Sequence, residues 1–385
     1  MLKRDEIDIE MADILNTYWC DFIKTHKVGR HHHKVVGAIR NCRTSRLGSH
    51  TEKCSNAHCD YEVIAYNSCR DRHCPKCSIS KKLKWVSARI NELLPIPYFH
   101  ATCTMPPILH PLCLFNQAVI YDLFFKSTSY ALNSFSKDPK YLGAQLGFVG
   151  ILHTWGKSLW YHPHIHYIVS GGGLSGDRWI GLPYQYEFLF PVKALSRTIR
   201  SRFVKLLEKS YDSGELVFPG ELSDLSSPLS FKRFCNKLGN ETWYCHVKKP
   251  FTGPEKVLAY MGRYTYRVAI SNSRLISMND GRVTFRIKDY KEDGKEKVVS
   301  LAADTFIQRF LWHILPSGFR KIRHFGFFNT GFRSEKIQMI REYFVSLASS
   351  IEEHIERWFE RIDAYINHLC PKCHEGRLIY YINNS

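Results

Sequence analysis

The chain has 385 residues, with 54 Lys and Arg against 36 Asp and Glu and a formal net charge of +18. Hydrophobic residues make up 44% and charged residues 23%, which excludes a mostly disordered chain. No unbroken apolar run reaches the roughly 18 residues of a membrane-spanning helix, and Met1-Leu2-Lys3-Arg4-Asp5-Glu6 does not read as a secretory signal. A cytoplasmic protein with a polyanionic partner, most often nucleic acid, is expected.

Apolar spacing at Ile7, Met11, Ile14, Leu15, Trp19 and Phe22 predicts a helix over residues 6–25. Residues 42–80 then become rich in Cys, His and Arg and poor in apolar side chains. They cannot build a core alone, so a metal is expected to hold them. A short helix is expected over 78–93. From Tyr98 onward strands and helices alternate. The pattern predicts strand Tyr98–Met105, a helix over about 110–135, strands Gln145–Thr154 and His164–Ser170, and a turn at Gly171-Gly172-Gly173. Next come strand Phe188–Val192 and helices over about 193–212 and 254–268. Two strands within 274–288 turn at Asn279-Asp280-Gly281, a strong hairpin signal. The tail from about residue 300 reads as helical. Strands with helices inserted between them predict an α+β fold.

Thirteen cysteines, an odd number, argue against a disulfide framework. Cys42, Cys54, Cys59, Cys69, Cys74 and Cys77 crowd into one segment, with His50, His58 and His73 among them. Thiolate and imidazole suit four-coordinate Zn²⁺. One site is expected from Cys54, Cys59, Cys74 and Cys77, and a second from Cys42, His50, Cys69 and His73. Cys54-x4-Cys59 is wider than a CxxC knuckle, so His58 is an alternative ligand there. Cys370-Pro371-Lys372-Cys373 is either a half-site completed elsewhere or a plain turn. Residues 30–89 carry 13 Lys and Arg against 4 Asp and Glu, a net +9. Arg70, Arg72 and Lys76 of this module are expected to bind nucleic-acid phosphates.

Tyr161-His162-Pro163-His164-Ile165-His166-Tyr167 holds alternating histidines. In a strand, His164 and His166 fall on one face as a ready pair of metal ligands, with Ile165 on the buried face. In the helix predicted over 254–268, Tyr260 and Tyr264 lie one turn apart, and Arg263 and Arg267 occupy an adjoining stripe able to hold phosphates. These parts suit phosphodiester cleavage. Imidazole-held metal offsets the charge of the phosphate, and a tyrosine hydroxyl attacks it. Three residues are candidates for a third metal ligand: His162, Glu255 and His246. The triplet of histidines also fits small nucleotide hydrolases, but those leave the zinc module and the tyrosine pair unexplained.

Four stretches resemble the rolling-circle transposases of the bacterial insertion-sequence 91 group, within the HUH endonuclease superfamily. They are Asn67 to Cys77, Leu152 to Ser175, Tyr260 to Asn272, and Arg323 to Phe327 together with Cys370 to Cys373. The resemblance implies a zinc-binding domain with an N-terminal helix over 1–94, an HUH-type catalytic domain with antiparallel sheet and tyrosine helix over 95–295, and a mostly helical region over 296–385. It implies His164 and His166 as ligands of Mg²⁺ or Mn²⁺, and Tyr260 and Tyr264 as nucleophiles. It further implies single-stranded DNA, at transposon ends and target, as the partner. A replication initiator or relaxase with the same nicking chemistry is the alternative.

Overall fold

The computed structural model describes residues 9–77, 92–182, 189–248, 251, 257, 268–289, 295–329, 331, 333–344 and 369–381. The helices expected over 78–93 and 254–268 lie outside these residues, apart from residues 92, 93, 257 and 268.

The first helices are α1, Met11–Thr25, and α2, Arg30–Arg40. The second of these has no counterpart in the apolar spacing used above. Met11, Ile14, Leu15, Trp19 and Phe22 recur at helical intervals, so α1 buries one continuous stripe. Strands β1, Ser49–Cys54, and β2, Glu62–Tyr66, form an antiparallel hairpin within the cysteine-rich segment.

The central sheet begins with β3, Tyr98–Thr104. Helices α3, His110–Phe115, and α4, Gln117–Lys137, follow where one helix was expected. They break at Asn116, whose side-chain amide donates to Leu112 O at 3.0 Å and Val217 O at 2.9 Å. The same side chain accepts from Val217 N at 2.8 Å. Side-chain bonds of this kind compete with the helical ladder. Strands β4, Gln145–Trp155, and β5, Tyr161–Ser175, form a long hairpin, and the short β6, Arg178–Gly181, pairs with the end of β5.

The three glycines at 171–173 are therefore strand, not the expected turn. A Cβ at Gly171 would lie 2.8 Å from Pro97 O, and one at Gly173 2.6 Å from Gln145 O. Neighbouring backbone approaches too closely for any side chain, and that is why glycine stands there. The strand expected at Phe188–Val192 is also absent in its described part. Leu189 and Phe190 are buried core residues, and helix α5, Val192–Asp212, starts after Pro191.

Helix α6, Pro228–Asn240, and strand β7, Tyr244–Lys248, complete the middle of the chain. Strands β8, Leu275–Asn279, β9, Arg282–Asp289, and β10, Lys295–Ala302, form a separate antiparallel sheet. The β8–β9 turn is Asp280-Gly281, with φ of 50° and 69°, the backbone a two-residue hairpin needs. The tail contains helices α7, Ala303–Trp312, and α8, Arg333–Tyr343, as expected. It also contributes two strands, β11, Ile322–Gly326, and β12, Leu378–Tyr381.

Every strand pairing among the described residues is antiparallel, and the central order is β11-β4-β5-β3-β7. One face of this sheet packs on α4 and α5 through Phe99, Cys103, Leu152, Ile165 and Tyr167. Ile165 is fully buried there, as the alternation of the histidines required. The opposite face carries the polar side chains described next.

Candidate active site and metal centres

Residues directly opposed in antiparallel strands project to the same face. His153 of β4 faces His164 of β5. Thr102 of β3 faces both His166 of β5 and His246 of β7, and His100 faces Lys248. The register therefore gathers His100, Thr102, His153, His164, His166, His246 and Lys248 on one side of the sheet. Within this row, the ligand nitrogens of His153, His164 and His166 lie within 4.8 Å of one another.

The rings are oriented by their neighbours. His164 Nδ1 lies 2.6 Å from the carbonyl oxygen of His162, to which it donates as Nδ1–H. His166 Nδ1 lies 3.0 Å from His100 Nε2, and the Thr102 hydroxyl lies 2.9 Å from that same Nε2. Burial, and then the nearby Lys248 charge, push the His100 imidazole down to about 3. His100 is thus neutral at pH 7, and its Nε2 can accept the proton of His166 Nδ1–H. An engaged Nδ1 presents Nε2 as the ligand atom, an arrangement common among metal-binding histidines.

His153 is the residue that sequence reasoning missed. Of the three candidates for a third ligand, His162 and His246 line the same cleft without joining the triad. Glu255 lies outside the described residues. The sequence signals for His153 are its place directly after the apolar run Leu146 to Leu152 and its inclusion in the stretch Leu152 to Ser175 that carries the resemblance.

The histidines open into a cleft of about 830 Å³. Among the described residues its walls carry Lys157, Lys248, Arg274, Arg286 and Lys288 against one acid, Glu296. Arg274 is braced by its donors to Arg286 O at 2.8 Å and Lys157 O at 3.0 Å, so the hairpin sheet β8–β10 forms the basic wall. Trp155 stacks on His153 with ring centroids 4.7 Å apart and lines the same wall.

Tyr260, Arg263, Tyr264 and Arg267 lie outside the described residues. Their nearest described neighbours in sequence are informative. Val257 is buried with Val149 and Ile168, the latter two positions from His166 on the same sheet face. Val268 and Ala269 line a cavity with Trp155, two positions from His153.

The cysteines group differently from expectation. Cys42, Cys69, Cys74 and Cys77 form one cluster, with sulfurs of Cys42 and Cys77 at 3.5 Å and of Cys69 and Cys77 at 3.6 Å. Cys54 and Cys59 join Cys370 and Cys373 instead. The expected quartet of Cys54, Cys59, Cys74 and Cys77 is therefore split. His50 and His73 stand outside both clusters. His50 Nδ1 bonds Asn67 Oδ1 at 2.8 Å. His73 Nδ1 donates to Asp71 Oδ1 at 2.9 Å, while its Nε2 accepts from Leu315 N at 3.0 Å. Both nitrogens of His73 are spent on structure.

Two of the expected phosphate contacts are likewise structural. Arg72 donates to Phe319 O at 2.6 Å and Pro316 O at 3.1 Å. Lys76 pairs with Glu10. Arg70 is exposed, with φ of 54° beside the Cys69 knuckle.

A family profile described as "Transposase zinc-binding domain", of the insertion-sequence 91 type, matches residues 14–105, and one described as "Putative transposase" matches residues 147–336. The chain is 40% identical over 379 residues to "Putative transposase y4qJ" of Sinorhizobium fredii, covering 96% of this chain and 94% of that one. The chain belongs to the insertion-sequence 91 family of transposases. The transposase is also 29% identical over 300 residues to the "Transposase for insertion sequence element IS801" of Pseudomonas savastanoi pv. phaseolicola, covering 76% of this chain and 69% of that one. No solved structure matches it.

Family membership makes the protein an enzyme acting on DNA and its N-terminal region a zinc-binding domain. The Cys42, Cys69, Cys74 and Cys77 cluster fits structural zinc on its own geometry. Four sulfurs within 4.8 Å of one another, with Cys42, Cys74 and Cys77 buried in the apolar cluster that includes Leu15, Val36 and Ile270, are a closed ligand set. No described helix is long and apolar enough to cross a membrane.

Proposed function

We propose that the transposase cleaves and rejoins single-stranded DNA through a covalent 5′-phosphotyrosine in rolling-circle transposition. His153, His164 and His166 would hold the catalytic ion, and Tyr260 and Tyr264 would be the nucleophiles. The observation that carries this reading is the histidine triad at the floor of a basic cleft. Three nitrogen donors on adjacent strands fit a divalent ion with room for a phosphate oxygen; imidazole suits Mn²⁺ better than the harder Mg²⁺, which is the abundant alternative. When bound there, the ion would offset and polarise the charge of the scissile phosphate.

The chain's own residues supply the rest. A tyrosine Oη forms a bond to phosphorus as the P–O3′ bond breaks. The phenolic proton leaves to solvent, and the departing 3′ oxygen takes up a proton to become a 3′ hydroxyl. The 5′ phosphate stays on the protein, and attack by another 3′ hydroxyl reverses the step and rejoins the strand. Tyrosine ordinarily titrates near pH 10, so neighbouring positive charge must favour the phenolate. The anchoring of Val257 near Ile168, and of Val268 and Ala269 near Trp155, supports the reading, because the segment between them carries both tyrosines.

The direct test is incubation with single-stranded terminal DNA and Mg²⁺ or Mn²⁺, resolved on denaturing gels. One product should carry protein on its 5′ end and the other a 3′ hydroxyl. Release of both ends free of protein at every time would contradict the covalent route.

Two further outcomes follow from the cleft. If the five described cations each neutralise one phosphate, they should contribute about −3.5 to the slope of log affinity against log salt for a single strand. Binding that is flat across the salt range would remove the cleft as a phosphate channel. His100 positions His166 without itself joining the triad. His100→Ala should therefore weaken Mn²⁺ affinity on the order of 10- to 100-fold, the usual effect of losing such a supporting hydrogen bond. Calorimetric titration of Mn²⁺ checks this, and unchanged affinity would assign His100 to packing alone.

A further inference from the structure

We propose that the transposase holds a second zinc ion between its two ends, through Cys54 and Cys59 near the start of the chain and Cys370 and Cys373 near its end. Two of these four ligands lie beyond the matched zinc-binding segment at residues 14–105. The site is independent of the DNA chemistry proposed above.

The geometry is that of a tetrathiolate. A tetrahedron with zinc–sulfur bonds of about 2.3 Å has sulfur–sulfur edges of about 3.8 Å. The sulfurs of Cys54 and Cys373 are 3.6 Å apart, and those of Cys59 and Cys370 3.7 Å apart. All four lie within 4.8 Å of one another. Each of those two edges joins one end of the chain to the other.

Backbone amides aim at the sulfurs. Asn56 N donates to Cys54 Sγ at 3.4 Å, Lys372 N to Cys370 Sγ at 3.4 Å, and Gly376 N to Cys373 Sγ at 3.3 Å. Donors converging in this way suit thiolates, whose excess charge they share, and they fix each sulfur in place. A Cβ at Gly376 would strike Cys54 Sγ, so the turn closes directly over the cluster.

Burial as small apolar residues does not account for these cysteines. None of the four belongs to the apolar clusters among the described residues. Three of them are only half-buried. Around them lie Ser55, Asn56 and Glu375, with Asn56 Nδ2 donating to Glu375 Oε2 at 3.2 Å. The neighbouring sheet has the order β12-β1-β2, in which Cys54 of β1 faces Leu378 of β12. Strands β1 and β2 are half-exposed along their length, too little burial to hold a distant strand. A metal clasp supplies what that sheet lacks.

The test is made on full-length protein carrying His164→Ala and His166→Ala, so that the imidazole cleft adds no metal. Elemental analysis should find two zinc ions per chain. After exchange into cobalt(II), the thiolate-to-cobalt charge-transfer band should have twice the intensity of that from the same protein with Cys370→Ser and Cys373→Ser. The serine variant should bind one zinc. One zinc in the parent protein, or two thiolate-bound ions in the serine variant, would overturn the proposal. If the serine variant precipitates, Cys373→His keeps a ligand. Its cobalt spectrum should lose one eighth of the thiolate band, and no loss would overturn the proposal equally.

Discussion

His166→Ala is expected to lower DNA cleavage by roughly 10³-fold, since losing a metal that supplies several kcal/mol costs about tenfold per 1.36 kcal/mol. His166 is buried, faces Thr102 and contacts His100, so its removal empties the middle of the ligand set. Binding to DNA should change little, because the cations of the cleft wall remain. His164→Ala should behave alike, and His153→Ala should join them. His162→Ala should be milder, because His162 lines the cleft outside the triad. Cleavage rates on a single-stranded end, measured beside a binding assay, separate these outcomes. Wild-type cleavage by either β5 variant would remove the triad from the reaction.

The pair His164 and His166 was legible because its partners are two residues apart and strand alternation is a local rule. His153 was not, because its place depends on how β4 pairs with β5, and no local pattern fixes that register. The same reason explains the grouping of the cysteines. Sequence proximity suggested joining Cys54 and Cys59 to Cys74 and Cys77, whereas the fold joins them to cysteines more than 300 residues away. The helical content of the tail was read correctly, but β11 was hidden. It takes the edge of the central sheet beside β4, far from it in sequence. Gly171 to Gly173 looked like a turn because glycine marks turns. Here it marks close contact of backbone with Pro97 and Gln145. Arg72 shows the limit of charge as a guide. Its guanidinium is engaged by the carbonyls of Pro316 and Phe319, which its residue type alone did not disclose.

The second large effect concerns Tyr260 and Tyr264. The double substitution Tyr260→Phe with Tyr264→Phe is expected to abolish the covalent protein–DNA adduct, because phenylalanine keeps the ring and removes the attacking oxygen. Folding and DNA binding should survive, since the substitution removes one hydroxyl from each ring and no charge. Each single variant should impair transposition, yet either can still nick in a one-step assay if the other tyrosine takes its place. The most direct measurement is therefore of the adduct itself. Wild-type protein is trapped on a single-stranded end with Mn²⁺, digested, and the DNA-linked peptide sequenced by mass spectrometry. Linkage through Tyr260 or Tyr264 is the predicted result, and linkage through any other residue, Tyr266 included, would contradict it.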